Sequence, residues 1–234
     1  KIINQKKDAN TFIDSRLGLK LWSDYVKHFG LGSNLNIDMP IVNTGFVPSY
    51  EYYDNYYGKN RWKFSNIYSL SIGQGELLVT PLQMANLASI IANRGHYYDP
   101  KIVIKINDEK LNNSKINALD INKEHFNYVV NAMEEVVRSG SGRRGYLKEL
   151  ELCGKTSTVQ NPHGYDHSGF IGFAPKENPK IAIAAYIENA GWGARAATSI
   201  SSLAAEYYIF KNVKRSWLEE YVLIGDFIDE EDYQ

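Results

Sequence analysis

Apolar and polar positions along the chain follow two rhythms, one helical and one alternating. In residues 14–30 the apolar positions Leu17, Leu21, Tyr25, Val26 and Phe29 recur at helical spacing, and Gly30 closes the segment. In "TPLQMANLASIIANRG", Thr80 suits an N-cap, Pro81 a first helical residue and Gly95 a stop. Leu82, Ala85, Leu87, Ala88 and Ile91 make that helix apolar on most of its surface, which predicts burial. A third helix fits 122–138, with a stripe of Phe126, Val129, Val130, Met133, Val136 and Val137. A fourth fits 196–210, with Ile200, Leu203, Ala204 and Tyr207 on one face. Alternation replaces this spacing elsewhere. "KIVIKI" at 101–106 reads as a half-buried strand, and "ELELCGKTSTVQ", "HSGFIGFAPKE" and "PKIAIAAYIENA" read as three more. The short "KENP" turn between the last two predicts an antiparallel hairpin. Helices, then three strands, then a helix imply an α+β fold, an antiparallel sheet packed on helices.

The intervening segments are turn-rich. Residues 33–63 are irregular and rich in tyrosine, and read as a surface loop held down by its rings rather than as a sugar-stacking face. Gly73 and Gly75 flank Gln74 in a tight turn with a structural role, and 107–119 reads as a polar loop. "RSGSGRRG" reads as a mobile, solvated basic loop, and 215–234 as an acidic tail. There is no internal repeat and no linker, so 1–234 reads as part of one domain.

Composition narrows the function classes. With 234 residues and 44% hydrophobic content the chain has enough apolar material for a sizeable core. The 26 basic residues nearly balance 27 acidic ones, which argues against a nucleic-acid partner held through phosphates. Cys153 is the only cysteine, which excludes an internal disulfide and a cysteine-rich zinc site, and its apolar setting makes it a core residue. No run of 18 apolar residues and no signal peptide occurs. The chain starts at Lys1 without Met and reads as an excised piece, so missing targeting signals say little.

The candidate chemistry lies in "ELCGKTSTVQNPHG", residues 151–164. A phosphate-binding loop would need a glycine five residues before Gly154, where Glu149 stands, and a helix after Lys155, where the pattern stays strand-like. A metal site built from His163, Asp166 and His167 competes with a plain polar loop, and Pro162 and Gly164 disfavour the helix that would align the two histidines. No metal and no cofactor is called for. A third reading uses Lys155-Thr156-Ser157-Thr158 on the first strand of a terminal sheet. An exposed strand aligns an extended peptide, Lys155 supplies a positive field, and the hydroxyls of Thr156 and Thr158 bind a carboxylate. The backbone N–H of Thr158 can face a developing oxyanion.

That third stretch resembles the Lys-Thr-Gly motif of penicillin-binding proteins and serine β-lactamases. "SIGQGELLVTPLQMANLASIIANRG", "FIGFAPKENPKIAIAAYIENAG" and "GLGSNLNIDMP" are similar to class B penicillin-binding-protein segments, in family order, over most of residues 14–210. The elongation-type enzyme, penicillin-binding protein 2, fits best among subclasses. The resemblance implies the penicillin-binding-protein/serine β-lactamase-like transpeptidase fold, incomplete at its N-terminus. It implies a serine D,D-transpeptidase that crosslinks peptidoglycan stem peptides ending in D-Ala-D-Ala and is acylated by β-lactams. It further implies a membrane glycosyltransferase partner, a missing N-terminal anchor and a site at the periplasmic face of the inner membrane.

Two departures qualify the resemblance. No serine is followed three positions on by lysine, and none two positions on by asparagine, so the family's Ser-x-x-Lys and Ser-x-Asn motifs would lie upstream of Lys1. The chain therefore carries one motif of three and is expected to be inactive alone. Ser157 stands where the family has glycine, and its side chain is expected to narrow the groove or twist the strand. A non-catalytic binding or scaffold module on the same fold is the alternative. Gln160, His163, Gly164, Asp166 and His167 follow the motif, either near the cleft or as turn-stabilising groups.

Overall fold

The computed structural model describes residues 10–110 and 115–228. In chain order the helices are α1 (Thr11–His28), α2 (Tyr50–Tyr57), α3 (Phe64–Ile67), α4 (Pro81–Ala92), α5 (Lys123–Arg138), α6 (Ala196–Phe210) and α7 (Ser216–Ile224). The strands are β1 (His96–Tyr98), β2 (Lys105–Ile106), β3 (Glu109–Lys110), β4 (Ile116–Ala118), β5 (Cys153–Val159), β6 (His167–Ala174) and β7 (Ile181–Ile187). The chain forms two compact units. One comprises the chain up to Gln83 with the excursion from Asp99 to Lys115; the other comprises Met84–Tyr98 and the chain from Ile116 onward.

In the first unit, Leu19, Tyr53, Trp62, Ile67 and Leu70 form the core. The tyrosine-rich stretch is helical at α2, where Ser49 caps the helix and Tyr53 is wholly buried, its hydroxyl donating to Glu76 at 2.5 Å. Burial, and then the hydrogen bond to the Glu76 carboxylate, hold the Tyr53 phenol well above its ordinary pKa. The faces of α1 run against expectation. Leu17, Leu21 and Tyr25 are exposed, whereas Ser15, Gly18, Leu19 and Ser23 are buried. Ser23 donates to Pro48 O at 2.8 Å, so a hydroxyl with a backbone partner occupies the inner face.

"KIVIKI" is not a half-buried strand. Ile102, Val103, Ile104 and Ile106 are exposed, and only Lys105–Ile106 pairs, across a two-residue turn with Asn107 and Asp108 at positive φ. The Asp38 carboxylate accepts the N–H groups of Ile102 and Val103 at 2.7 and 2.8 Å, which pulls the backbone out of strand pairing and holds Asp38 below the usual carboxylate range. The segment 107–119 likewise contains β3 and β4, and β4 pairs antiparallel with β1.

The α4 helix opens as its sequence suggests. Thr80 Oγ1 accepts the Gln83 N–H, Gln83 Oε1 accepts the Thr80 N–H, and Gly95 ends the segment at positive φ. In the second unit β5, β6 and β7 form an antiparallel sheet in that order. Phe170 and Ala174, with Ile181, Ile183, Ala185 and Ile187, pack on α6. On the opposite face Cys153 and Phe173 pack on Val130 and Met133 of α5 and on Ala92. Burial pushes the Cys153 thiol up to about 12, so it is an inert core group.

The buried face of α6 also differs from the expected one. Ile200, Ala204 and Tyr207 are exposed, while Ala197, Thr198, Ser201, Ser202, Ala205 and Glu206 face inward. Small side chains let the helix axis approach the sheet closely, and large ones would hold it off. The segment 215–234 begins with α7; residues 229–234 lie outside the described residues.

Candidate active site

Strand pairing places the motif. Lys155, Ser157 and Val159 share the face of Cys153, because side chains alternate along a strand. Helix α5 covers that face at Cys153, but Lys155 and Ser157 further along are exposed. The motif therefore occupies the open end of an edge strand, beside Ile171 and Gly169 of β6. Lys155 Nζ donates to Thr156 O at 2.7 Å.

The serine at 157 is housed without disturbing the sheet. Its partner across the strands is Gly169, and a Cβ built on Gly169 would lie 2.1 Å from Ser157 Oγ. The missing methyl group leaves the space that the hydroxyl fills, and β5–β6 pairing continues unbroken from Cys153 to Val159. Strand pairing is kept at Ser157, and its hydroxyl adds bulk on the face it shares with Lys155.

Two elements far away in sequence hold the threonines. Ser141 Oγ and Thr156 Oγ1 are 2.7 Å apart and hydrogen-bonded. Ser141 belongs to "RSGSGRRG", which is not a mobile solvated loop. Gly142 and Gly145 are buried, the Gly142 N–H donates to Val136 O at 2.8 Å, and Arg143–Gly145 forms a 3₁₀ turn. A Cβ on Gly145 would press on Thr198 and Ser202 of α6, so glycine here serves close packing. On the other side the Gly193 N–H donates to Thr158 Oγ1 at 3.4 Å. A hydroxyl that accepts this bond keeps its own proton for an anion.

Gly193 is fixed by its surroundings. A Cβ there would stand 2.2 Å from Ser157 O and 2.5 Å from Gly169 O, both backbone atoms. Its own carbonyl accepts the Thr198 hydroxyl at 2.7 Å, and the preceding Trp192 carbonyl accepts the Ser168 hydroxyl at 3.1 Å. Gly193→Ala is expected to destabilise the second unit by about 1–3 kcal/mol, because backbone must move to admit the methyl. A melting temperature within 1 °C of the unaltered protein would contradict this.

The residues after the motif form a braced loop. Asp166 Oδ1 accepts the Asn161 N–H at 3.2 Å, His167 Nδ1 accepts the Asn189 N–H at 3.0 Å, and Asn161 Nδ2 donates to Asn189 Oδ1 at 2.8 Å. His163 and Gly164 stack their N–H groups on Asn161 in the same turn. Among the described residues no group of three His, Cys, Asp or Glu side chains is placed to hold a metal ion.

Sequence reasoning singles out Lys155–Thr158 and passes over Ser141, Gly169 and Gly193, which the fold brings against that stretch. The last two carried a readable signal, glycines set in "HSGF" and "GWG" beside large rings, where a backbone has to come close to another.

Residues 9–213 match the family described as the penicillin binding protein transpeptidase domain. The chain is similar to the peptidoglycan D,D-transpeptidase MrdA of Acinetobacter baumannii, at 28% identity over 220 residues, covering 86% of this chain and 32% of that protein. The Haemophilus influenzae MrdA is 27% identical, covering 94% of this chain and 37% of that protein. The chain thus spans about a third of the length of these curated relatives. Among solved structures, Pseudomonas aeruginosa PBP2 in complex with WCK 5153 superposes with a TM-score of 0.71 at 26% identity, covering 88% of this chain and 47% of that one.

Proposed function

The chain belongs to the penicillin-binding-protein transpeptidase domain family, and from that premise we propose that it forms the C-terminal part of a PBP2-like peptidoglycan D,D-transpeptidase. The observation that carries this reading is the open, edge-strand placement of Lys155–Thr158, with both threonine hydroxyls fixed by neighbours.

The reaction divides between this chain and a serine supplied by the rest of the protein. The serine oxygen attacks the penultimate D-Ala carbonyl, forming a C–O bond. The peptide C–N bond breaks, and the terminal D-Ala leaves with a proton on its nitrogen. An amine from a neighbouring stem then displaces the serine. β5 aligns the extended peptide, and Lys155 supplies the field for the terminal carboxylate. Thr156 and Thr158 hydrogen-bond that carboxylate. The backbone N–H of Thr158 serves the oxyanion, where one donor is worth about 10²–10³ in rate.

The resemblance extends the proposal to a protein anchored in the inner membrane, working at its periplasmic face with a membrane glycosyltransferase. Among the described residues no helix is long and apolar enough to cross a membrane.

The test is labelling of the full-length protein with fluorescent penicillin, with the adduct mapped by mass spectrometry. A serine adduct N-terminal to Lys1 is expected, and the 234-residue chain alone should take none. A full-length protein that takes no label would point instead to a binding or scaffold module on this fold. Ser157→Gly should raise the acylation rate by less than about tenfold, since the serine is already housed and only its bulk is removed. A slower variant would mean that the hydroxyl contributes to acylation.

A further inference from the structure

Beside β5, within the second unit, lies a pocket of about 480 Å³ lined by Ser141, Arg143, Arg144, Arg195, Trp192 and Trp217, with Ala194 completing it. Among the described residues its charged lining is guanidinium. Two of the three arginines are held by one ring. The Arg144 guanidinium lies 4.4 Å from the Tyr221 ring centre, and Arg195 Nε donates to the Tyr221 hydroxyl at 3.3 Å. Such bracing removes much of the entropy that a long side chain loses when it binds. Trp192 and Trp217 are more than half exposed and offer flat apolar walls.

The pocket is wired to the motif from both sides. Ser141 is bonded to the Thr156 hydroxyl, and Trp192 precedes Gly193, whose N–H reaches the Thr158 hydroxyl. The lining thus reaches Thr156 through one hydrogen bond from Ser141 and Thr158 through the residue after Trp192, yet neither threonine lines the pocket.

We propose that this pocket is a second anion subsite, which takes a carboxylate carried by the peptide strand at a distance from its terminal carboxylate. This deepens the transpeptidase reading and rests on it for the identity of the strand. Guanidinium forks match a carboxylate in two parallel bonds, and paired arginines select an acidic side chain over its amide. The indole walls cover the apolar stem of the same residue. Recognition at this point sets which peptides are crosslinked, separately from the terminal D-Ala-D-Ala.

The test uses the full-length protein and two synthetic peptides ending in D-Ala-D-Ala, one with an internal glutamate and the other with glutamine in its place. Binding is read from indole fluorescence and does not depend on turnover. The glutamate peptide should bind about ten- to hundred-fold more tightly, the range of a charge-assisted hydrogen bond. Arg143→Gln and Arg144→Gln should each narrow that ratio, and the double variant should bring it close to one. Arg143 is an exposed side chain, so its variant carries the test alone should Arg144→Gln lower the melting temperature. Equal binding of the two peptides by the unaltered protein would overturn the proposal, as would a preference that survives the double variant. Penicillin labelling is scored separately. Its absence would remove the transpeptidase reading, while the peptide ratio still decides whether this is an anion site.

Discussion

A full-length protein carrying Lys155→Ala is expected to take up penicillin about 10²–10³ times more slowly than the unaltered protein, with its stability within about 0.5 kcal/mol. The two halves of this expectation have separate causes. Lys155 is exposed, and among the described residues its ammonium bonds only to the carbonyl of the next residue on its own strand, so removing it leaves no buried group there without a partner. On the proposed transpeptidase reading, the same ammonium would face the carboxylate of a β-lactam or stem peptide in a groove from which the ligand excludes water, where a unit charge counts for far more than in bulk solvent. Lys155→Arg should recover only part of the rate, since a planar guanidinium on a longer stem does not reproduce a compact point charge. Stopped-flow acylation with a chromogenic β-lactam reads both variants. An Ala variant that acylates at the unaltered rate would remove Lys155 from the site.

The parts of this molecule that were legible in its sequence are those fixed by neighbours in the chain. Thr80 and Gln83 cap α4 reciprocally, and both lie within one turn. The strands β5, β6 and β7 were readable because alternation and a short turn are local properties. What failed was the assumption that a helix buries its largest apolar residues. In α6 the inward face is mostly alanine, serine and threonine, because contact with the sheet is set by backbone approach and the hydroxyls of Thr198, Ser199 and Ser202 find backbone acceptors, Thr198 at Gly193 O. In α1 Leu19 and Ser23 face in while Leu17 and Leu21 face out. "KIVIKI" failed for a different reason. Its alternation is genuine, but a carboxylate from residue 38, more than sixty positions away, takes its backbone N–H groups.

The same division runs through the site. Lys155 to Thr158 form a contiguous motif and could be read directly. Ser141 stands 15 residues from its partner Thr156, and Gly193 stands 35 from Thr158. Those spacings have no sequence signature, and the glycines and arginines around Ser141 mimic a solvated linker. Burial of Gly142 and Gly145 is visible only once α5 and α6 converge on that segment.

Glu206→Gln should destabilise the second unit by about 3–5 kcal/mol, the largest stability loss expected of a single conservative change in this chain. Glu206 is wholly buried on the inward face of α6. Its Oε2 accepts Arg215 Nε at 2.9 Å and lies 2.9 Å from Nη2, and its Oε1 accepts the Lys214 N–H at 2.6 Å. Arg215 is itself buried, and among the described residues Nη1 and Nη2 find no aligned hydrogen-bond acceptor, so Glu206 is the compensation on which that guanidinium depends. An amide retains an acceptor for Lys214 but carries no charge, which leaves a cation in a low-dielectric interior. The double variant Glu206→Met with Arg215→Met should recover most of the loss, because removing both partners avoids the unpaired charge. Consequences reach the site through geometry, since Arg215 precedes α7, and α7 carries Trp217 and Tyr221 at the arginine pocket. Thermal melting should show the single variant lower by roughly 10 °C, given about 2–4 °C per kcal/mol at this size. A single variant that melts like the unaltered protein, or a double variant no better than the single, would show that Arg215 does not depend on Glu206 for its charge.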